Sequence, residues 1–247
     1  MISAAASDAV TRFLAHKAAL QGISENTVTA YQTDLLEFLT FMTMHQGGPQ
    51  GLAPLMDLGV TDMRSWMASA RSGGIAPRSL ARKLSSVKSF YRWLAEKEGC
   101  DPTAVLATRA PKFQAKLPRP LTEDAAKDVI DTVEFQSQED WVGARDIAVI
   151  TVLYGCGLRI SEALGLTGAD VPLPNTLRIV GKGGKERVVP VIDAARDAVS
   201  RYIRLCPHTL SAEEPLFRGV RGGGLNPRQV QKVMQQTRQQ LGLPATA

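Results

Sequence analysis

The sequence predicts a mainly α-helical chain of two domains, a four-helix bundle followed by an α+β domain with a small β-hairpin. Three observations support this fold class. Apolar residues recur at intervals of three and four along the first hundred residues. A stretch with three prolines and no helical periodicity, residues 110–121, then interrupts the chain. Further on, Gly183 and Gly184 separate two runs rich in β-branched residues, as in a hairpin.

The first domain is predicted to cover residues 1–108. A first helix is expected around residues 10–20. Ser24 can cap a second helix and Thr61 a third, because a hydroxyl oxygen can accept a bond from a free N–H of the first turn. A fourth helix follows the break "RSGGIAP" and places Leu80, Leu84 and Val87 on one face. Four amphipathic helices of this kind are typical of a small bundle.

The linker is predicted at residues 109–120 and the second domain at residues 121–247. Thr122 can cap the first helix of this domain, whose first turn is acidic, as the helix dipole favours. Helices are predicted at 122–134, 143–154, 159–166 and 193–205, the hairpin at 177–191, and a last helix from Pro227 onward.

Positive charge is concentrated in one part of the chain. The whole chain carries a net charge of +5. Residues 71–119 alone contain eleven Lys or Arg against three acidic residues, so their local excess is larger than that of the whole chain. A basic segment that includes a helix and a linker favours a polyanionic partner such as nucleic acid.

Cysteine usage and the N-terminal residues predict a cytoplasmic protein without a membrane segment. Cys100, Cys156 and Cys206 show no CxxC spacing, which argues against a disulfide framework or a zinc site. Asp8 and Arg12 stand where a signal peptide needs an apolar core. The longest apolar run is also too short to span a bilayer.

Arg159 is the most informative single residue, because it stands in "LYGCGLRISEALGL" between glycines and apolar runs. Gly155 is a candidate C′ residue of the preceding helix, and Arg159 then falls at the start of a new one. Such an arginine is placed to bind an anion, and guanidinium matches phosphate bidentately. The alternative is a structural arginine paired with Glu162 or Asp170.

Two further groups of cations are candidates for nucleic-acid contacts. Lys182, Lys185 and Arg187 surround the glycine turn of the hairpin, where a narrow tip can enter a groove. The fourth helix carries cations and small serines opposite its apolar face, which allows close approach to a duplex. The alternatives are a solvated turn and a solvated helix face. The helix residues that we select as DNA-binding candidates are Arg78, Arg82, Lys83, Ser86 and Lys88.

Other kinds of chemistry find little support in the sequence. His16, His45 and His208 are isolated, so a metal site is not expected. "GKGGK" lies between two predicted strands, whereas a nucleotide-binding P-loop leads into a helix. No cofactor is therefore expected.

Two motifs resemble those of the tyrosine recombinases, and within them the Xer site-specific recombinases. The pattern "LLYxTGLRxSELLxL" stands here as "VLYGCGLRISEALGL", and "GKGxKxRxVP" stands as "GKGGKERVVP". Upstream, "SLARKLSSVKSFYRWL" resembles the family's N-terminal core-binding domain, and "PLFRGVRGGGLNPRQVQKVM" resembles the segment before its second box. The resemblance covers nearly the whole chain.

The resemblance implies a DNA enzyme in which a tyrosine attacks the scissile phosphate and forms a 3′-phosphotyrosine. Arg159 then matches the first catalytic arginine, and Lys182 the lysine that protonates the leaving 5′-oxygen. Lys185 and Arg187 would contact the backbone nearby, and Glu162 would orient Arg159. The implied partners are a double-stranded recombination site and a related recombinase in a tetrameric synaptic complex, with no metal or nucleotide cofactor.

The sequence departs from the family at its C-terminal end. The 247 residues contain no His-x-x-Arg box, and "HTLS" at His208 does not match it. Tyr31, Tyr91, Tyr154 and Tyr202 fall on apolar helical faces, so each is expected in a core rather than as the nucleophile. The expectation is a truncated catalytic domain, incomplete at its C-terminus, that binds DNA weakly, does not cleave it and exposes apolar surface.

Two other functions within reach of these motifs stay open. One is a mobile-element integrase of the same family, although these often carry an extra N-terminal domain for which residues before position 10 leave no room. The other is a DNA-binding accessory protein without catalysis. The Xer hypothesis, in which the protein resolves chromosome dimers, is preferred.

Overall fold

Helices supply nearly all the regular structure, as the sequence predicts, and a single two-stranded sheet supplies the rest in the part of the chain described. The computed structural model describes residues 2–49, 51–113, 122–181 and 184–243. The chain divides into two compact units, Met1–Ala115 and Lys116–Ala247. The predicted linker, residues 109–120, lies partly outside the described residues.

Among its described residues, the N-terminal unit contains four long helices and two short ones. Glycine or proline marks several of their ends: α1 is followed by Gly22, α5 begins with Pro77, and Gly99 follows α5. The short helices were not predicted from the sequence. The helices are α1 (Ala4–Gln21), α2 (Glu25–His45), α3 (Ala53–Met56), α4 (Val60–Ser72), α5 (Pro77–Glu98) and α6 (Thr103–Ala107).

The core of this unit lies among α1, α2, α4 and α5 and is rich in aromatic rings. Phe13 of α1 meets Phe90 of α5 edge to face, with ring centroids 5.4 Å apart. Phe38 of α2 meets Trp66 of α4 in the same way at 4.9 Å. Edge-to-face pairs add to the stabilisation from area burial. This packing fixes which faces of α2 and α5 remain exposed.

The predicted cap at Thr61 is wrong, because α4 begins at Val60 and Thr61 is its second residue. Gly59 is the residue before the helix, and its backbone N–H donates to the Asp62 carboxylate at 2.8 Å. The start of this helix is therefore bound by the carboxylate of an acidic residue in its first turn, and not by the hydroxyl that we predicted.

The C-terminal unit contains five helices and one hairpin among its described residues. The helix predicted at 159–166 is only one turn long. The elements are α7 (Glu123–Glu134), α8 (Asp140–Gly155), α9 (Ile160–Ala163), β1 (Thr176–Val180), β2 (Glu186–Pro190), α10 (Asp193–Leu205) and α11 (Pro227–Gln240), with a 3₁₀ turn at Gly168–Asp170.

The hairpin is antiparallel, with Leu177 opposite Val189 and Ile179 opposite Arg187. Leu177, Ile179 and Val189 are buried, whereas their neighbours along each strand are more exposed. The period of two therefore turns one face of the hairpin to the core of the unit. That face fixes the register, and with it the position of Arg187.

Helix α8 is the centre of this unit and packs against α7 and α10. Its residues from Val142 to Val152 are all buried, which explains why this stretch has no amphipathic pattern. Gly143 allows α7 to approach, because a Cβ there would lie 2.9 Å from the backbone oxygen of Glu134. The site described below is built on the C-terminal end of α8.

Candidate functional site

Arg159 is presented by the short connection between α8 and α9. Gly155 is the last residue of α8 rather than its C′ residue, which corrects the sequence prediction; a Cβ there would overlap the side chain of Ile192. The left-handed residue is Gly157, with φ +63°. The chain turns at Gly157 and enters α9, and Arg159 is the residue just before that helix.

Glu162 holds this connection in place. Its Oε2 accepts a bond from the backbone N–H of Arg159 at 2.8 Å, and its Oε1 accepts one from Arg159 Nη1 at 2.7 Å. The Glu162 side chain is 7% exposed, whereas that of Arg159 is 69% exposed. Arg159 therefore pairs with Glu162, as the structural alternative expected, and still presents most of its side chain to solvent.

Arg187 of β2 binds the same carboxylate with both Nη atoms, at 2.8 and 2.7 Å. The hydrogen bonds from Arg187, and then the one from the Arg159 N–H, hold the pKa of Glu162 well below its usual range. Glu162 is thus an anion between two guanidiniums. The cluster has a net positive charge, which favours a bound phosphate.

The turn of the hairpin carries the remaining predicted residues. Lys182 and Gly183 lie outside the described residues. Lys185 is exposed, and its side chain makes no hydrogen bond or ion pair with any residue that the structure describes. The turn is closed by the Gly181 N–H, which donates to the Lys185 carbonyl at 2.7 Å.

The five predicted DNA contacts on α5 differ in their exposure and in their partners. Arg78 is exposed and has no ion pair within the described residues. Arg82 is half exposed and binds Asp34 of α2 through both terminal nitrogens. Our placement of Lys83 and Ser86 at or beside the exposed face is wrong, because both are buried against α2. Lys88 donates to the Leu106 carbonyl at 2.7 Å and is partly buried.

Asp34, which is 1% exposed, is a residue that the sequence analysis did not identify. Burial raises the pKa of Asp34, and its ion pairs with Arg82 and Lys83 act in the opposite direction. Asp34 stands one residue before Leu35 and four before Phe38, in the apolar stripe of α2. An acid in a stripe that faces a basic helix was the signal, because a buried carboxylate needs a cation from its neighbour.

One face of α5 carries three exposed arginines, of which Arg78 and Arg82 were predicted as DNA contacts. Arg78, Arg82 and Arg92 are exposed along one face, with Ser85 between them. Their spacing of four, three and seven residues places them on a common stripe of the helix. This stripe is therefore exposed to solvent, whereas Lys83 and Ser86 are buried.

The tyrosines do not all lie in a core. Tyr91 and Tyr202 are buried, and each hydroxyl donates to a backbone carbonyl, of Leu55 and Leu216 respectively. Tyr31 is partly buried. Tyr154, in the last turn of α8, is 49% exposed, so its predicted core position is wrong. It lines an apolar groove of about 390 Å³ with Val129, Ile150 and Met234.

The described residues contain neither a cluster of metal ligands nor a membrane-spanning helix. No three His, Cys, Asp or Glu side chains converge there as a metal site. Within the same ranges, no helix is long and apolar enough to cross a membrane. The three cysteines are free thiols.

Comparison with known proteins identifies both halves of the chain. Residues 10–98 match the phage integrase N-terminal SAM-like domain, and residues 119–246 match the phage integrase family. The tyrosine recombinase XerC of Rhizobium meliloti is 45% identical over 237 residues, which cover 96% of this chain and 74% of that protein. The chain belongs to the tyrosine recombinase family. The XerC of Brucella suis is 43% identical over 230 residues, covering 92% of this recombinase chain and 73% of its relative.

Within the Xer group, the form "YGCGLRISEALGL" predicts the XerC member, and these relatives confirm a XerC-like recombinase. Solved structures agree on the fold. A lambda integrase tetramer bound to a Holliday junction superposes with a TM-score of 0.67 at 19% identity, over 98% of this chain and 68% of that one. A lambda integrase dimer bound to a core site gives 0.66 at 19% identity, over 96% of this chain and 64% of the integrase chain.

Proposed function

We propose that residues 1–247 bind a duplex recombination site. They also supply Arg159 to the phosphate site of a Xer-type, XerC-like recombinase. The observation that carries the proposal is the arrangement at Glu162. A buried carboxylate fixes the backbone and one terminal nitrogen of Arg159 while most of the Arg159 side chain faces solvent. An arginine fixed in this way can bind phosphate without paying the full cost of ordering its side chain.

In the reaction of the family, a tyrosine hydroxyl gives up its proton and its oxygen attacks the phosphorus, the bond to the 5′-oxygen breaks, and a proton is delivered to that oxygen. Arg159 would bind the non-bridging oxygens, whose negative charge grows in the transition state. Lys182 would donate the proton to the leaving 5′-oxygen. Neither step uses a metal or a nucleotide. Resolution of chromosome dimers with a related recombinase is the cellular role that we propose, by analogy with the XerC proteins.

DNA binding by the α5 stripe is tested with a matched pair of variants. Arg78→Gln removes an exposed cation, so we expect the slope of log affinity against log salt to fall by about one, as for a lost phosphate contact. Lys83→Gln removes a buried cation that pairs with Glu37, so we expect lower stability and an unchanged slope. The measurement is fluorescence anisotropy with a labelled duplex over a salt series. Equal slopes for Arg78→Gln and the wild type would refute this contact.

Cleavage is tested with a nicked suicide duplex, which traps any phosphotyrosine. We propose that a polypeptide of residues 1–247 binds this substrate without forming a covalent adduct, since it contains no His-x-x-Arg box. Tyr154 is the tyrosine with the most exposed ring, so Tyr154→Phe is the matched control. An adduct with the wild type that disappears in Tyr154→Phe would overturn the proposal and identify a nucleophile.

A further inference from the structure

Arg187 has a different environment from the other cations of the hairpin. It lies on β2 opposite Ile179, which is buried, so its strand is anchored in the core. Both terminal nitrogens of Arg187 bind Glu162, at 2.8 and 2.7 Å, and its side chain is 37% exposed. A guanidinium that faces both oxygens of a carboxylate has its strongest donors already in use.

The four bonds at Glu162 are divided unequally between the two arginines. Oε1 accepts from Arg159 Nη1 and Arg187 Nη1, and Oε2 accepts from the backbone N–H of Arg159 and from Arg187 Nη2. Arg187 therefore uses two terminal nitrogens on this carboxylate, whereas the Arg159 side chain uses one. The nitrogens that remain for a phosphate belong mainly to Arg159.

Without Arg187, Arg159 would be the one cation paired with this carboxylate among the residues that the structure describes. An arginine and a carboxylate favour a bidentate arrangement, which would draw the second Nη of Arg159 onto Glu162. The pair would then be neutral, whereas the present cluster of two guanidiniums and one carboxylate is positive. Both changes would weaken phosphate binding by Arg159.

Arg187 also connects two segments that are separate in the chain. Glu162 belongs to the connection that presents Arg159, and Arg187 belongs to the hairpin whose turn contains Lys182 in sequence. Gly181 lies against the ion pair, since a Cβ there would be 3.7 Å from Arg187 Nη1 and 3.8 Å from Glu162 Oε1. The residue before Lys182 therefore lies close to the ion pair that holds Arg159.

We infer that Arg187 is a positioning residue: by occupying both oxygens of Glu162, it keeps Arg159 available to phosphate and joins the arginine connection to the lysine hairpin. The inference rests on the proposed function of Arg159. It differs from the sequence prediction that Arg187, like Lys185, contacts the DNA backbone directly.

A double-mutant cycle on DNA affinity distinguishes these two roles. The probe is a labelled duplex of random sequence, about three helical turns long, bound to the 247-residue chain at low salt. Arg159→Gln should weaken binding about tenfold, as for a lost charged hydrogen bond. Arg187→Gln should weaken it several-fold, and this loss should vanish in the Arg159→Gln background. If the two losses multiply instead, and the salt slope falls by about two in the double variant, Arg187 is a direct contact and the inference is wrong.

Lys185→Gln is the matched control, because Lys185 is on the same hairpin and is exposed without an ion pair to any described residue. Its effect should multiply with that of Arg159→Gln. Arg187→Lys keeps the charge but cannot bind both oxygens of Glu162. Its affinity for the duplex should therefore stay as low as that of Arg187→Gln. Restoration by lysine would overturn the positioning role.

Failure of the proposed function gives a separate result. If Arg159→Gln leaves affinity and salt slope unchanged, the phosphate role of Arg159 is wrong whatever Arg187 does. A readout without DNA then tests the contact itself: in protein labelled with ¹³C at the glutamate carboxylates, the Glu162 signal should titrate at higher pH in Arg187→Gln than in Lys185→Gln. Identical titrations would show that Arg187 does not hold Glu162 in solution. The same spectra establish that each variant is folded.

Discussion

At the scale of single residues, buried polar atoms fix the loops of the C-terminal unit. The Tyr202 hydroxyl donates to the Leu216 carbonyl at 3.0 Å and accepts from the Arg218 N–H at 2.9 Å. Burial raises the pKa of this hydroxyl, so it stays protonated and can serve both partners. Arg218 in turn binds Glu214 and holds the pKa of that carboxyl at about 2. One phenol thus ties α10 to the chain that precedes α11.

We expect Tyr202→Phe to destabilise the protein by about 1–3 kcal/mol, because it leaves a buried N–H and a buried carbonyl without their partner. Tyr31→Phe is the control, since the Tyr31 hydroxyl makes no hydrogen bond to a described residue and should change stability by less than about 0.5 kcal/mol. Urea unfolding followed by circular dichroism measures both. Equal effects would show that the hydroxyl of Tyr202 is not a structural link.

Glu162 predicts a specific dependence of stability on pH. The hydrogen bonds from Arg187 and from the Arg159 N–H lower its folded pKa below the unfolded value of 4.5. A carboxylate of this kind stabilises the fold fully above the unfolded pKa, and the contribution is lost as the pH falls toward the folded pKa. The melting temperature of Glu162→Gln should therefore lie below that of the wild type near neutral pH and approach it below about pH 4.

The control for that titration is Glu213→Gln. Glu213 is exposed and makes no ion pair with a described residue, so this variant should follow the wild type at every pH. A gap between Glu162→Gln and the wild type that stays constant down to acidic pH would contradict the assignment.

At the scale of elements, the connection between α8 and α9 shows how a one-turn helix can carry a functional residue. Helix α9 is too short to provide much dipole or packing of its own. It is held by the Glu162 carboxylate at its start, and by Ala163, which is buried in the core. Gly157 supplies the left-handed backbone that lets the chain leave α8 and enter α9 within four residues.

Gly157→Ala should therefore destabilise the unit by about 1–2 kcal/mol, which is the cost of a Cβ in the left-handed region. No atom lies within 4 Å of the added Cβ, so the effect is conformational rather than steric. Gly223→Ala also adds a Cβ in open space but without a positive φ, so it should be neutral or slightly stabilising. Thermal melts of the two variants decide the matter, and equal melting temperatures would argue against a strained turn at Gly157.

At the scale of the whole molecule, each unit has its own hydrophobic core. Phe90 is fully buried in the N-terminal core, where it meets Phe13, Tyr91 and Trp93. Phe217 is equally buried in the core of the C-terminal unit, against Tyr202. The sequence of each unit therefore contains the apolar residues that its own fold needs.

Phe90→Ala and Phe217→Ala should each cost about 3–5 kcal/mol, because each leaves a cavity of aromatic size. The effect should be local, since the packing that is lost belongs to one core. Native-state hydrogen exchange should show reduced protection in α1, α2 and α5 for Phe90→Ala, and in α8 and α10 for Phe217→Ala. Loss of protection spread evenly over all five helices would contradict two cores that are stabilised separately.

Much of the fold could be predicted from the sequence, because the signals are local. The hairpin follows from a glycine turn between β-branched runs, and α10 and α11 follow from an acidic first turn in one case and from Asn226 and Pro227 in the other. The boundaries of α4 and α9 were predicted less well. The Asp62 carboxylate determines where α4 begins, and α9 is a single helical turn.

The sequence by itself determined the family, the two kinds of unit and the identity of Arg159, since two ordered motifs and helical periodicity are properties of the linear chain. Only the tertiary structure decided which cations are free. Lys83 and Ser86 are buried by contact with Asp34 and Glu37, which lie about fifty residues earlier. Arg187 is paired with Glu162, which lies 25 residues earlier. The physical reason is that a charge finds its partner in space, and periodicity along one helix carries no information about the helix or loop that packs against it.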